Sequence, residues 1–310
     1  FAVAFVAEAL ELRAAEVRAP ILVLEGAFSV AEYAEIAQHQ LWTVVHQEEQ
    51  LRMLERAALG RARLNVWLKI DTGMHRAGVA PAETRRLHAR LLDTGRVASV
   101  TLMSHFARAD ETDAEATRVQ IDTFDAATAG LPGPRSLANS AGLIAWPAAR
   151  RDWGRPGIAL YGVDPTGQER LGLRPVMTLA SAVFAERTLA PGEAMGYGGS
   201  FVAERTTRVG LVAMGYGDGY PARAPTGTPV AVDGQRTRLL GRVSMDMLAV
   251  DLSELPASGI GSDVELWGAQ VGVAEVAARA GMLSYELLCH VRRAPMHHVE
   301  ALRALANTGT

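Results

Sequence analysis

The 310-residue sequence predicts a parallel α/β barrel domain followed by a smaller, mostly antiparallel β domain. In the first half, short runs rich in Val, Leu and Ile alternate with amphipathic stretches. This pattern is typical of helices alternating with strands that are buried on both faces of a parallel sheet. After residue 172 the strand-like runs are separated by Gly, Pro and Asp turns, which favours antiparallel pairing. We therefore expect a barrel domain at 1–172 and a β domain at 173–310.

The number of strands in the first domain narrows the fold class. Seven are expected, at Ala2–Phe5, Ile21–Leu24, Trp42–Val45, Asn65–Ile70, Val100–His105, Ser136–Asn139 and Ile158–Tyr161. An open doubly wound sheet can have seven strands, whereas a (β/α)₈ barrel needs eight to close. Because the sequence starts at a strand and is one unit short, we expect a TIM-type barrel that lacks its first βα unit.

Helices are expected between these strands and again near the C-terminus. In the barrel domain the amphipathic segments are Val30–His39, Glu48–Leu59, Pro81–Thr94 and Glu115–Ala129. Ser29 and Glu32 form the pattern of a capping box at the start of the first of these. The β domain is expected to contain strands at Thr178–Phe184, Thr207–Met214, Pro229–Val232, Met247–Val250 and Asp263–Trp267, then a helix Val273–Arg279 with Gly281 as its C-cap.

Composition excludes several classes of protein. With 49% hydrophobic and 21% charged residues, the chain is globular, and its net charge of −3 argues against a nucleic-acid partner. No apolar run approaches the roughly 20 residues that span a bilayer, so no membrane partner is expected. The single cysteine, Cys289, excludes an internal disulfide and fits a reducing, cytoplasmic compartment. Among the 31 basic residues, Lys69 is the only lysine.

Polar residues at the carboxyl ends of the barrel strands are the first candidates for a site, because the active-site loops of barrels lie there. Taken singly, each has a structural explanation as a turn, a core histidine or a loop residue. Together they suggest a phosphorylated planar cofactor, with phosphate at Ser140 and at the backbone N–H groups around Gly157 and Ile158. A flat histidine stacks on a ring, and arginines supply permanent cations. The remaining candidates are Lys69, Arg76, His105, Asn139 and Arg155.

The second domain contributes residues flanked by glycine. Tyr197 and Tyr216 each follow a glycine, and a tyrosine beside cations can act as an acid or base. Tyr220 is better explained by a turn, and Met245, in Gly241–Asp246, would on its own most often belong to the core.

These motifs closely resemble the ordered series found in bacterial alanine racemases. The likeness extends from Phe1 to about Tyr285 and rests on Lys69–Gly78, Ser104–Ala107 with Asp110, Asn139–Ala141, Arg155–Tyr161, Gly196–Gly199, Gly215–Pro221 and Gly241–Asp246. The resemblance implies a fold-type III enzyme that uses pyridoxal 5'-phosphate (PLP), acts on alanine and forms a head-to-tail homodimer with shared active sites. It also implies supply of D-alanine for peptidoglycan or its catabolism, and no metal.

Roles for individual residues follow from the same resemblance. Arg76 would hold the PLP phenolate side and approach the substrate carboxylate, and a carbamylated Lys69 would be its anionic partner. The cofactor would further contact His105 by stacking, Arg155 at the pyridine nitrogen, and Ser140, Gly157 and Ile158 at the phosphate. Asn139 would also belong to the cofactor site. Tyr197 would be the catalytic tyrosine, and Tyr216 and the Met245 backbone would line the site. These last three would serve the PLP of the other subunit.

One family motif does not occur in the chain. In the family, racemisation uses two bases, the catalytic tyrosine and a Schiff-base lysine in a Lys-Ala-Asp-Ala-Tyr-Gly-type motif on the first strand. Lys69 is the only lysine and is assigned elsewhere. The chain as written is therefore expected to be a truncated racemase, inactive alone.

Three other interpretations are open. The nearest is a fold-type III decarboxylase, although no Cys-Asp pair of the kind those enzymes use follows in the β domain. A PLP-binding regulatory barrel is another, but such proteins lack the β domain. The third is a non-catalytic PLP-binding remnant of a racemase.

Overall fold

The computed structural model describes residues 1–167 and 171–298, and its backbone divides into two compact units. The first unit consists of Phe1–Leu160 and Asp164–Gly172. The second holds Tyr161–Val163 and the residues from Leu173 onward. Each unit has its own hydrophobic core.

The first unit is a parallel half-barrel. Its strands are hydrogen-bonded in chain order: β1 (Ala2–Val3), β2 (Leu22–Val23), β3 (Trp42–Val45), β4 (Leu64–Lys69), β5 (Val97–Met103) and β6 (Arg135–Ser136). The helices that follow the strands are α1 (Val6–Ala14), α2 (Val30–Gln38), α3 (Glu48–Arg56), α4 (Thr84–Asp93), α5 (Glu115–Thr128) and α6 (Ser140–Ala145). The expected parallel α/β architecture is confirmed.

Burial explains why these segments form strands and helices. Val44, Val66 and Leu68 are completely buried on the two central strands, as expected when helices cover the outer face of a parallel sheet. On α3, Leu51 and Leu54 lie three residues apart and are both fully buried, so one face of the helix packs on the sheet.

The prediction of a seventh strand in this unit is wrong. Ile158–Tyr161 forms a short 3₁₀ helix, and parallel pairing in this region is reduced to an isolated bridge between Asn139 and Arg155. Two causes are visible. Pro156 has no N–H to donate to a neighbouring strand, and the N–H groups of Gly157 and Ala159 both donate to the Ser140 side chain.

The capping of α2 differs from the expected box in one bond. Ser29 Oγ accepts from the Glu32 N–H at 3.2 Å, as expected. The Glu32 carboxylate, however, accepts from the N–H of Phe28, one residue before the cap.

The second unit is built on a closed antiparallel barrel, which confirms the expected β domain. Around the barrel the order is β10 (Thr207–Val212), β13 (Leu248–Asp251), β12 (Gln235–Leu240), β11 (Pro229–Val232), β14 (Asp263–Trp267) and β7 (Leu179–Leu189). A small hairpin joins β8 (Ala194–Met195) and β9 (Phe201–Val202), and the helices are α7 (Val273–Ala280) and α8 (Ser284–His290). Gly281 caps α7 in the left-handed conformation, as expected.

Within the described ranges, every helix is either too short or too polar to cross a bilayer.

Candidate functional site

The register of the parallel sheet brings three chain segments together at one edge. Lys69 at the end of β4 is paired with Met103 at the end of β5, and Met103 is paired with Ser136 at the end of β6. The residues that follow continue side by side, since the Ile70 N–H donates to Met103 O and the Ser104 N–H to Ser136 O. The predicted site segments after β4, β5 and β6 therefore begin at one rim of the half-barrel.

Arg155 joins two of these segments. Its Nη2 donates to Ser104 O at 2.6 Å and to Leu137 O at 3.0 Å, and its Nη1 donates to Ser136 Oγ. Its own N–H donates to Ala138 O, which fixes the backbone beside β6. Burial lowers the pKa of the guanidinium to about 10, so it remains a cation at neutral pH. Its Nε makes no hydrogen bond to any residue within 1–167 and 171–298.

His105 is held as a neutral ring beside this cation. Its Nδ1 lies 3.3 Å from Arg155 Nη2. Because a guanidinium only donates, Nδ1 accepts and the hydrogen is on Nε2. Burial, together with the charges of Arg155, Arg76 and Lys69, lowers the pKa of His105 to about 3. The ring is therefore uncharged over the physiological range, which suits stacking on a flat heteroaromatic ligand.

Lys69 is the only lysine of the chain and is buried, with 9% of its surface exposed. Its pKa is lowered by burial and by the positive charge of Arg76, while Glu25 acts in the opposite direction. Within the described residues its ammonium group is not part of a salt bridge. A lowered pKa raises the fraction of the amine that is unprotonated and therefore nucleophilic.

The loop after β4 carries Arg76 and has a defined shape. The Asp71 carboxylate accepts from the N–H groups of Gly73 and His75, at 3.1 and 2.9 Å, and its other oxygen lies 3.0 Å from His75 Nδ1. This holds His75 in the left-handed region, with φ at +54°. The loop closes through hydrogen bonds from Asp71 N to Val79 O and from Val79 N to Lys69 O. Arg76 is exposed and is brought close enough to Lys69 and His105 to lower both pKa values.

Ser140, Gly157 and Ile158 form a small polar cradle. Ser140 is 2% exposed, and its Oγ accepts from the N–H of Gly157 at 3.0 Å and from that of Ala159 at 3.3 Å, so its own hydrogen remains available for a further acceptor. A Cβ placed on Gly157 would meet no atom within 4 Å, so the space above this glycine is open. Asn139 lies directly before Ser140 and caps α6, because its side chain accepts from the Gly142 N–H.

The three predicted residues of the second unit are exposed. Tyr197, Tyr216 and Met245 have 69%, 44% and 53% of their surfaces accessible. Tyr216 and Met245 lie together, because the Tyr216 N–H donates to Ser244 O and the Gly217 N–H donates to Met245 O. Tyr197 begins a short 3₁₀ turn in the β8–β9 hairpin. By contrast, Tyr220 is buried and stacks on Trp267 with ring centroids 6.0 Å apart, as a core residue does.

Sequence reasoning missed His46, which lies at the same rim. His46 follows β3 directly, and its Nε2 lies 3.2 Å from Glu25 O, just after β2. Burial lowers the pKa of His46, and the charge of Lys69 lowers it further. A polar residue right after the run Trp42–Val45 was the signal that could have found it.

Comparisons with known proteins agree over nearly the whole chain. The model of the alanine racemase N-terminal domain matches residues 1–165, and that of the C-terminal domain matches residues 176–298. The chain belongs to the alanine racemase family. An alanine racemase from Aromatoleum aromaticum is 58% identical over 293 residues, which cover 94% of this chain and 83% of that protein. The match to an isomerase family is thus not limited to the motifs of the rim.

Solved alanine racemases have the same fold. The biosynthetic enzyme from Pseudomonas aeruginosa is 49% identical and superimposes with a TM-score of 0.90, covering 94% of this chain and 82% of that one. The alanine racemase from Bartonella henselae, which contains covalently bound pyridoxal phosphate, is 26% identical with a TM-score of 0.82, again covering 94% and 82%. The resemblance predicted from the motifs is therefore confirmed at the level of family and fold.

Proposed function

We propose that this alanine racemase chain binds PLP at the rim of its half-barrel and serves the interconversion of L- and D-alanine. The observation that carries the proposal is the donor set around Arg155. The available hydroxyl hydrogen of Ser140 and the open space above Gly157 fit a phosphate, and a neutral His105 beside the Arg155 guanidinium fits a flat pyridine ring. These features suit the two ends of one molecule of PLP.

When bound, PLP supplies the electron sink that acidifies the α-hydrogen of an amino acid. The protein binds and orients it. Ser140 and Ile158 would hold the phosphate in the open space above Gly157, whose own N–H already donates to Ser140 Oγ, and Asn139 fixes the start of α6. His105 stacks against the ring. Arg155 would donate to the ring nitrogen, and a permanent cation at this position would keep that nitrogen unprotonated.

Arg76 is the proposed contact for the phenolate side of PLP and for the substrate carboxylate. Its exposed guanidinium offers a rigid fork that matches a carboxylate. We propose that Lys69 is carbamylated, because its lowered pKa raises the fraction of unprotonated amine that can add CO₂, with the proton released to solvent. The resulting anion would then pair with Arg76 and fix its orientation.

Inverting the α-carbon requires a proton acceptor on each face. We assign one of these roles to the Tyr197 hydroxyl, with Tyr216 and the Met245 backbone shaping the pocket. All three are exposed on the second unit, which is compatible with the proposed homodimer, in which they serve the cofactor of the partner. The other role needs a lysine, and the only lysine present, Lys69, is placed beside Arg76. These 310 residues alone therefore supply one of the two bases. We propose that this interconversion serves either the supply of D-alanine for peptidoglycan or its catabolism.

Hydrogen–deuterium exchange of alanine tests this assignment. The chain is incubated in D₂O with PLP and either enantiomer, and loss of the α-hydrogen signal is followed by NMR. With one base present, one enantiomer should exchange faster than the other, by about 100-fold if Tyr197 acts as a general base. Tyr197→Phe should remove the difference while PLP binding persists. Equal exchange of both enantiomers above the rate with free PLP would refute the one-base assignment.

Peptide mass mapping tests the role of Lys69. After borohydride reduction in the presence of PLP, no pyridoxyl group should be found on Lys69 if it is the partner of Arg76. A second sample, alkylated to trap a carbamate as its ester, should show the added mass of CO₂ and the alkyl group on Lys69. A pyridoxyl group on Lys69 would contradict the assignment.

A further inference from the structure

A buried glutamine on an outer helix contacts the two rim loops that carry Arg76 and His105. Gln120, on α5, is 2% exposed. Its Nε2 donates to His105 O at 3.0 Å and to Thr72 Oγ1 at 3.3 Å, and its Oε1 accepts from the Ala107 N–H at 2.9 Å. We call this set of three hydrogen bonds the Gln120 bridge.

The direction of every hydrogen bond in the bridge is fixed. Ser104 has one hydroxyl hydrogen, which it donates to Ile70 O at 2.8 Å. Thr72, 2.7 Å away, must therefore donate to Ser104 Oγ and accept from Gln120. The amide of Gln120 uses both hydrogens and its oxygen, so the opposite orientation of the amide would lose all three bonds. Successive hydrogen bonds thus connect Gln120 through Thr72 and Ser104 to the carbonyl of Ile70, which directly follows β4.

The residues that the Gln120 bridge contacts lie close in sequence to Arg76 and His105. Thr72 lies within the loop that the Asp71 carboxylate shapes, four residues before Arg76. The Cβ that a residue other than glycine would place at Gly73 would lie 3.3 Å from Gln120 Cγ, so the loop also packs directly on the glutamine. On the other side, the bridge holds both the carbonyl of His105 and the N–H of Ala107.

We propose that Gln120 is a positioning residue that holds the loops after β4 and β5 in one relative arrangement, so that Arg76 and His105 face the same ligand. The proposal rests on the proposed function only for the identity of that ligand. Without the bridge, Ala107 N and His105 O lose their partners inside the protein and must turn to water. The His105 ring then leaves Arg155 and becomes hydrated.

The chain contains a matched control. Gln50, on α3, is 1% exposed and connects the loops after β2 and β3 in the same manner. Its Nε2 donates to Glu25 O at 2.9 Å and to Ala27 O at 3.4 Å, and its Oε1 accepts from the His46 N–H at 2.9 Å. Gln50→Met removes the same number of hydrogen bonds from the same half-barrel without touching the loops of Arg76 and His105.

NMR titration of the His105 ring in Gln120→Met tests the proposal, with His105→Gln used to assign the signal. In the natural chain and in Gln50→Met, the ring should not titrate between pH 5 and 8. In Gln120→Met it should titrate within that range, near the ordinary histidine pKa of about 6.5. The amide of Ala107 should exchange about tenfold faster or more in this variant alone.

Two further measurements keep the outcomes distinct. If Gln120→Met fails to fold, Gln120→Asn retains the amide but is one methylene too short for the bridge, and the same titration applies. The positioning role is overturned if the His105 ring of a folded Gln120 variant does not titrate between pH 5 and 8. It is also overturned if the ring titrates equally in Gln50→Met. PLP should bind about tenfold more weakly to Gln120→Met than to Gln50→Met. If the natural chain binds no PLP, the proposed function fails while the His105 titration still decides the role of Gln120.

Discussion

Gly78, which closes the loop that carries Arg76, provides the sharpest test of the rim geometry. Its φ is +142°, and a Cβ at this position would lie 2.5 Å from Asp71 N and 2.8 Å from the carbonyl carbon of Ile70. Both neighbours are backbone atoms and cannot rotate away. Gly78→Ala must therefore move the loop apart where Asp71 N donates to Val79 O and Val79 N donates to Lys69 O, each at 2.9 Å.

The expected cost has two parts. A side chain at positive φ costs about 1 kcal/mol or more, and losing two backbone hydrogen bonds costs about 1 kcal/mol each. Gly95→Ala serves as the control, because Gly95 also has positive φ (+66°) but a Cβ there would meet no atom within 4 Å. The difference between the variants is thus about 2 kcal/mol, or about 30-fold in the equilibrium for opening the loop.

Amide hydrogen exchange measures this opening directly. In Gly78→Ala, the amides of Asp71 and Val79 should lose about 30-fold in protection relative to Gly95→Ala, while the amides of β5 change little. The reasoning would be refuted by equal protection in both variants, because the loop would then accommodate a Cβ without separating from β4.

Two other predictions concern phosphate binding and pH. Ser140→Ala should weaken binding of PLP about tenfold by equilibrium dialysis and leave binding of pyridoxal, which has no phosphate, unchanged; equal losses would contradict a phosphate contact. Asp233 accepts from the hydroxyls of Ser262 and Ser258, and these bonds lower its pKa. Its contribution to stability should be complete above the ordinary aspartate pKa of about 4 and be lost as pH falls through the lower folded value. The free energy of unfolding, measured with urea, should therefore fall less between pH 6 and pH 3 in Asp233→Asn than in the unsubstituted chain. An identical fall in both proteins would contradict the prediction.

The sequence predicts the buried strands best. The bounds of β3, β11 and β14 match the expected Trp42–Val45, Pro229–Val232 and Asp263–Trp267. β11 is an apolar run between turn residues, whereas β3 and β14 are rich in Val, Leu and Trp and end where His46 and Gly268 follow. β12 (Gln235–Leu240) was missed, since its first four residues are polar and exposed or half-buried. It is a strand because it pairs with β11 on one side and β13 on the other. The local signal that could have found it is the turn Asp233-Gly234, because Asp-Gly with positive φ at both residues is a preferred two-residue connection of a β-hairpin.

At the site, motifs indicate the residues that face a ligand but not those that support them. Arg155 and Ser140 could be predicted because they follow strand-like segments at the expected rim. Gln120 could not, because local hydropathy predicts the opposite of what is found. Val119 beside it is 51% exposed, whereas the amide of Gln120 is buried. Gln120 is buried in place of Val119 because its amide forms hydrogen bonds with the loops after β4 and β5.

The charges at the rim give an independent reason to expect an anionic ligand there. The Arg155 guanidinium is surrounded by carbonyl and hydroxyl oxygens, and within the described residues no carboxylate forms a salt bridge with it. Neutral oxygens satisfy its hydrogen bonds but leave its charge uncompensated, and burying such a charge is costly. Arg76 and Lys69 add positive potential at the same place, as the depressed pKa of His105 shows. A ligand that brings a phosphate and a phenolate, together with a carbamate on Lys69, would supply the missing negative charge. A neutral ligand of the same shape would leave the rim electrostatically as unfavourable as before.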